Sequence, residues 1–191
     1  MALSSRRAVA QQDRDLVSRV RAGDPTAFEE LFRLYFAAML RFAMSFVADP
    51  DAAEDIVQEI LGRVWMQHAT WTPPTDVLSY LLAAVRNRAL DIVTTDHRRT
   101  TLTRLHGPTS ALPQSSESAD RAVERENHRD ILWGVISALP EQRRTVLLLR
   151  WRYGLEWEEI AHTMGISVAA ARMTHSRALQ SLRDRLPHGF E

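Results

Sequence analysis

Cysteine and lysine are both absent from this chain of 191 residues. Without cysteine there is no disulfide, no thiol nucleophile and no cysteine-based zinc site. Seven histidines are present, but none stands in a His-Glu-x-x-His or comparable pair, so neither a metal nor another cofactor is expected. Long apolar runs are missing too, and the charged opening from Met1 to Arg21 lacks the apolar stretch of a signal peptide. A cytoplasmic protein with no membrane insertion is therefore expected. With no lysine, all 24 basic residues are arginine, and 24 acidic residues bring the net charge to zero. Such a balance argues against a protein that coats nucleic acid unaided, but not against one that touches DNA inside a larger assembly. The skew towards arginine and alanine is what a GC-rich genome produces and is not read as a binding signal.

Strand-like alternation is also lacking, so the fold class is all-α, with two small helical domains. Residues 12–100 carry a nearly continuous helical pattern. Residues 101–123, from Thr101 past Pro108 and Pro113 to Ser115 and Ser116, are rich in Ser, Thr and Pro and read as a flexible linker. Residues 124–187 return to helix.

The most informative stretch lies in that second domain. Two short helical patterns are separated by Gly165, the residue that most easily takes the positive φ of a sharp inter-helix turn. Ser167 stands where the N-cap of the second helix should be. In that helix Ala171, His175, Ala178, Leu179, Leu182 and Leu186 share one stripe, while Ala169, Arg172, Met173, Ser176 and Arg177 lie off it. One small apolar face and one face of arginine, serine and small side chains suit a major-groove reader. An ordinary helical hairpin with solvated arginines is the plain alternative.

In the first domain Gly23-Asp24-Pro25 breaks the chain, with Asp24 placed as N-cap and Pro25 as the first helical residue. Phe28, Leu31, Phe32, Tyr35 and Phe36 then make an apolar stripe expected in the core. A second break at Asp49-Pro50-Asp51 precedes a helix whose Ile56, Ile60 and Val64 should face inward. Glu54, Asp55, Gln58 and Glu59 should form an outward acidic edge, which by itself could be no more than a solvated helix face. Trp65 follows, then a loop from Ala69 to Asp76, then a helix over Val77–Asp91, with Arg86, Arg88, Arg98 and Arg99 at or beyond its end.

Taken in order, these pieces resemble a bacterial RNA polymerase sigma factor of the extracytoplasmic-function (ECF) group. The matching residues are Gly23-Asp24-x-x-Ala27-Phe28, Ala53 through Glu59 followed by Trp65, and Leu81 through Asp91. Leu139-Pro140-x-x-x-Arg144, Glu159-Ile160-Ala161 and Arg177-Ala178-x-x-x-Leu182 complete the set. The resemblance implies that the first domain is sigma region 2, which docks on the polymerase clamp and reads and melts the −10 element. The second is region 4, which binds the flap and reads the −35 element. By motif position Glu54, Asp55, Gln58 and Glu59 would face core polymerase. Trp71, Thr72, Thr75 and Asp76 would hold an unstacked −10 base, a task suited to a loop. Tyr80, expected to be half core, would help wedge the duplex, and Arg86, Asn87 and Arg88 would track the strand. Ser167, Ala169, Ala170, Arg172, Met173, Ser176 and Arg177 would meet the −35 element. Core polymerase, promoter DNA and an anti-sigma factor are the partners implied.

Two departures from the family pattern bear on this. Ile92 through His97 intervene before Arg98-Arg99, where many relatives continue directly with basic residues. Ala169-Ala170-Ala171-Arg172-Met173-Thr174 replaces the usual Gly-Thr-Val-Lys/Arg-Ser-Arg, so a weaker or differently specific −35 contact is expected. His175 replaces an apolar core residue and is expected to be a hydrogen-bonded core or boundary histidine rather than a pH sensor. A free-standing helix-turn-helix regulator with a sensing or dimerising N-terminal domain is the competing reading. The acidic edge and the 71–76 loop speak against it, since a repressor needs neither. No nucleophile–base pair or phosphate loop is visible, so no enzyme is expected.

Overall fold

A computed structural model of the chain describes residues 2–74, 76–100 and 132–185, with side chains except those of 2–10 and 95–100. The 101–123 linker assignment, Thr75 and Leu186 lie outside the described residues. All regular structure among them is helical, in two compact units, Met1–Thr109 and Ser110–Glu191.

The first unit holds α1 (Ala2–Arg21), α2 (Pro25–Ala43), α3 (Pro50–Met66), a 3-10 turn (His68–Thr70) and α4 (Val77–Thr100). Local chemistry starts α2 and α3. Asp24 and Asp49 accept from Thr26 N and Asp51 N, with Pro25 and Pro50 at the first helical turn. Such caps satisfy amides that have no partner inside the helix. Gly23 has φ +80°, and a Cβ there would come within 3.3 Å of the His68 ring. His68 Nδ1 itself lies 3.2 Å from Arg21 O, so the 3-10 turn closes over the α1–α2 corner. Arg19 reinforces that corner by pairing with Asp24 (3.1 Å) and Glu30 (2.9 Å).

Helices α2, α3 and α4 pack on one another around Leu31, Met39, Phe42, Ile56, Ile60, Leu81, Leu82 and Val85, all buried. The α2 stripe is only partly core, contrary to expectation. Leu31 is buried, but Phe32 is 36% exposed and stacks on Phe36 at 4.6 Å. The buried face of α2 is offset towards Ala27 and Leu31, which leaves Phe32 at the edge of the stripe. Helix α4 also runs on to Thr100, well past the expected end at Asp91. No proline or glycine interrupts it, and Ile92 and Val93 are half-buried.

In the second unit residues 132–137 are helical (α5). They are followed by α6 (Glu141–Leu147), a π turn (Leu148–Arg152), α7 (Trp157–Met164) and α8 (Val168–Arg185). Helix α8 packs on α6 and α7, and Ala171, Ala178 and Leu182 are buried together with Val146, Leu147, Ile160 and Met164. Arg143 donates to Ser181 Oγ (2.8 Å), and Arg185 to Ala138 O (3.1 Å), tying α8 across the unit.

Candidate functional site

Three surfaces carry the expected site residues, two on the first unit and one on the second. The acidic edge is built by α3. Ile56, Ile60 and Val64 are buried, which turns Glu54, Asp55, Gln58 and Glu59 outward, all exposed. The edge is less free than its sequence suggests. Gln58 donates to Glu54 Oε1 (2.8 Å). Glu59 accepts from Arg63 through Oε1 (2.8 Å) and from Arg88 of α4 through Oε2 (2.6 Å). Residues expected on two different tasks, polymerase docking and strand tracking, are thus joined by one ion pair.

The second surface is the 71–76 stretch with the start of α4. Trp71 is buried rather than open to solvent. It is 5% exposed and meets Tyr80 edge-on at 6.2 Å, so its ring is packed into the core. Its indole N–H has no hydrogen-bond partner among the described residues. A large apolar ring beside a short loop gains more from burial than from water contact, and this overrides the loop's polar composition. Thr72 is exposed, and Asp76, Tyr80, Arg86 and Arg88 are half-buried, with Asn87 exposed between the two arginines. Asp76 Oδ1 accepts from Ser79 N (2.9 Å), the pattern of an N-cap on α4.

A grip on that cap was not foreseen. Tyr35 of α2 donates to Asp13 Oδ1 of α1 at 2.6 Å, and the same carboxylate takes a hydrogen bond from the backbone of Val77. Burial pushes Asp13 above the usual carboxylate range and the nearby Asp76 charge adds to that, against the two hydrogen bonds that pull it down. Burial and then the Asp13 bond raise the Tyr35 phenol, which stays protonated. Three elements far apart in sequence therefore meet at the first turn of α4.

The third surface is the helix-turn-helix. Glu156 and Glu159 cap α7 reciprocally, Glu159 Oε2 accepting from Glu156 N at 2.6 Å. Gly165 ends α7 with φ +65° and ψ +35°, and Ser167 Oγ accepts from Ala170 N (3.2 Å) to start α8. Ala169, Arg172, Met173, Ser176 and Arg177 are exposed, Met173 at 54%, while Ala170 is half-buried. The expected division of α8 into a packed stripe and an outward face is thus seen.

His175 is a boundary residue, but it is held by rings rather than by a hydrogen bond. Trp157 and Trp151 meet it edge-on at 5.1 and 6.1 Å, and its Nε2 has no partner among the described residues. Burial, then the Arg150 charge, lowers its pKa. The tryptophans were visible in the sequence, but the π turn that carries Trp151, 53% exposed, has no local signature.

Among the described residues no group of three or more His, Asp or Glu could hold a metal ion. Nor is any described helix long and apolar enough to cross a membrane.

Residues 31–100 match the family model described as Sigma-70 region 2, and residues 135–184 match Sigma-70, region 4. The chain is 32% identical over 164 residues to the RNA polymerase sigma-E factor of Streptomyces coelicolor, covering 86% of this chain and 88% of that protein. It is 31% identical over 176 residues to the "Probable RNA polymerase sigma factor RfaY" of Xanthomonas campestris pv. campestris, covering 89% of this chain but 43% of that relative's length. In a co-crystal structure with the anti-sigma factor NepR, the sigma factor RpoE of Bartonella quintana matches with a TM-score of 0.70. That match spans 85% of this chain and 98% of the other at 20% identity, a likeness of fold.

Proposed function

The chain belongs to the sigma-70 family of RNA polymerase sigma factors, in its extracytoplasmic-function group, and from that membership we propose how its surfaces divide the work. A sigma factor directs RNA polymerase to promoters; the free-standing regulator reading is not favoured. We read the chain as a non-catalytic, cytoplasmic subunit. Glu54, Asp55, Gln58 and Glu59 meet basic groups of the core clamp, where charge complementarity serves steering and register. Thr72, Thr75, Asp76, Tyr80, Arg86, Asn87 and Arg88 meet the −10 element, with Trp71 as a buried support rather than a contact. Ser167, Ala169, Ala170, Arg172, Met173, Ser176 and Arg177 meet the −35 element. An anti-sigma factor is a further partner, by analogy with the complexed structural relative.

The observation that carries this reading is the coincidence of two family regions with two structural units, each presenting an exposed polar face of the sign its partner needs. Zero net charge fits a factor whose polymerase supplies most of the DNA contacts. Transcription in vitro with purified core on a promoter library tests the whole. Changing Asp55→Ala together with Gln58→Ala should weaken core association while helical content stays intact. Charge-assisted contacts of this kind contribute about 1.5–3 kcal/mol each. Unchanged core affinity in a folded variant would remove the assignment of this face.

A further inference from the structure

We propose that Trp157 is a positioning residue for −35 recognition: its indole holds the Arg172 guanidinium at the start of α8 in an orientation ready for a base edge. This rests on the reading of α8 as the −35 reader and adds a residue outside that helix. Trp157 opens α7, and three side chains converge on its ring. The Arg150 guanidinium carbon lies 5.0 Å from the ring centroid, that of Arg172 lies 5.8 Å away, and the His175 ring meets it at 5.1 Å with a 75° interplanar angle.

The two arginines are not equivalent. Arg150 is committed elsewhere, donating to Leu155 O (2.8 Å) and pairing with Glu156 (3.0 Å), which fixes it as part of the α7 entrance. Arg172 is exposed on the outward face of α8. A guanidinium can stack on a ring with its flat face while its N–H donors still point outward in the plane, so ring contact and base contact are compatible. The free side chain has wide rotamer freedom, and resting on the ring removes part of the entropy cost before DNA arrives. His175, one turn along α8 from Arg172, meets the same ring and limits how far the indole can swing. In a recognition helix opening with Ala169-Ala170-Ala171, few neighbouring side chains on α8 can do this. The ring from α7 supplies it.

The test uses the full chain assembled with purified core polymerase on a promoter library randomised at the −35 element. Arg172→Ala should abolish preference at one base position, a change of about five- to 150-fold for a lost bidentate contact. Trp157→Leu should weaken preference at that same position by about two- to five-fold, and Trp157→Phe by less, since phenylalanine is the weaker partner for a cation. In the double variant Trp157→Leu should add nothing to Arg172→Ala, an outcome that general loosening of the domain does not produce. If Trp157→Leu loses helical signal, Trp157→Phe carries the same comparison with the smaller shift. The proposal is overturned if Arg172→Ala shifts preference while the Trp157 variants do not. It is equally overturned if Trp157→Leu acts alike with and without Arg172. If Arg172→Ala changes no preference at any position, the reading of α8 as a −35 reader fails, and the proposal with it.

Discussion

Removing one oxygen atom tests the Asp13–Tyr35 grip on α4. In Tyr35→Phe the ring remains to fill its half-buried place, but the 2.6 Å hydrogen bond to Asp13 is lost. Hydrogen bonds to charged groups contribute about 1.5–3 kcal/mol, and water can reach a half-buried carboxylate, so the lower end, ~1.5 kcal/mol, applies. For a unit of roughly 100 residues each kcal/mol moves the melting temperature by about 4–8 °C, giving a fall of about 6–12 °C for the first unit. Differential scanning calorimetry of the full chain reads it.

Asp13→Asn is the companion variant. It keeps an oxygen for the Tyr35 hydroxyl and removes a charge that burial disfavours. Because burial raises the folded pKa of Asp13 above 3.8, the native state binds its proton more tightly than the unfolded chain. The contribution of this group to stability is therefore greatest below about 3.8 and declines as pH rises through the folded value. The stability of Asp13→Asn relative to the parent should grow across that window and level off above it. A Tyr35→Phe melt identical to the parent would refute the reasoning. So would an Asp13→Asn variant as damaged at neutral pH as Tyr35→Phe.

Further outcomes concern the second unit. Gly165→Ala should cost about 1–2 kcal/mol through backbone strain alone, because φ is +65° and an added methyl meets open space; an unchanged melting temperature would refute it. The depressed His175 pKa means that its stabilising contribution is present above about 6.5 and is lost as pH falls through the folded value. The parent should thus weaken across that interval where His175→Phe does not, as followed by circular dichroism melts at several pH values. Arg177→Ala should weaken promoter binding evenly across sequences and lower the salt slope by about 1; a base-specific change in promoter selection would instead place Arg177 on a base edge.

The parts legible in the sequence were those decided by neighbours along the chain. Asp24-Pro25, Asp49-Pro50 and Gly165 with Ser167 mark helix ends because capping is a local hydrogen-bond problem. Ile56, Ile60 and Val64 mark the inward face of α3, and with it the exposure of Glu54, Asp55, Gln58 and Glu59. What depends on distant partners was not legible. The burial of Trp71 depends on Tyr80 and the core beneath it. Glu59 and Arg88 are 29 positions apart, and Asp13 and Tyr35 are separated by 22. The role of Trp157 depends on the π turn that precedes α7 and on how α7 meets α8, and no spacing rule predicts either.

The carboxylate of Glu59 has consequences beyond its two bonds. Both oxygens are committed inside the chain, one to Arg63 and one to Arg88. A foreign cation drawn to the second oxygen would compete with Arg88, and an Arg88 displaced in this way would have its charge available to another anion. If α3 meets a basic partner and α4 a phosphate, as proposed above, those two occupancies are linked equilibria. Whatever free energy one lends the other is returned in the opposite direction, because coupling between two binding events is reciprocal.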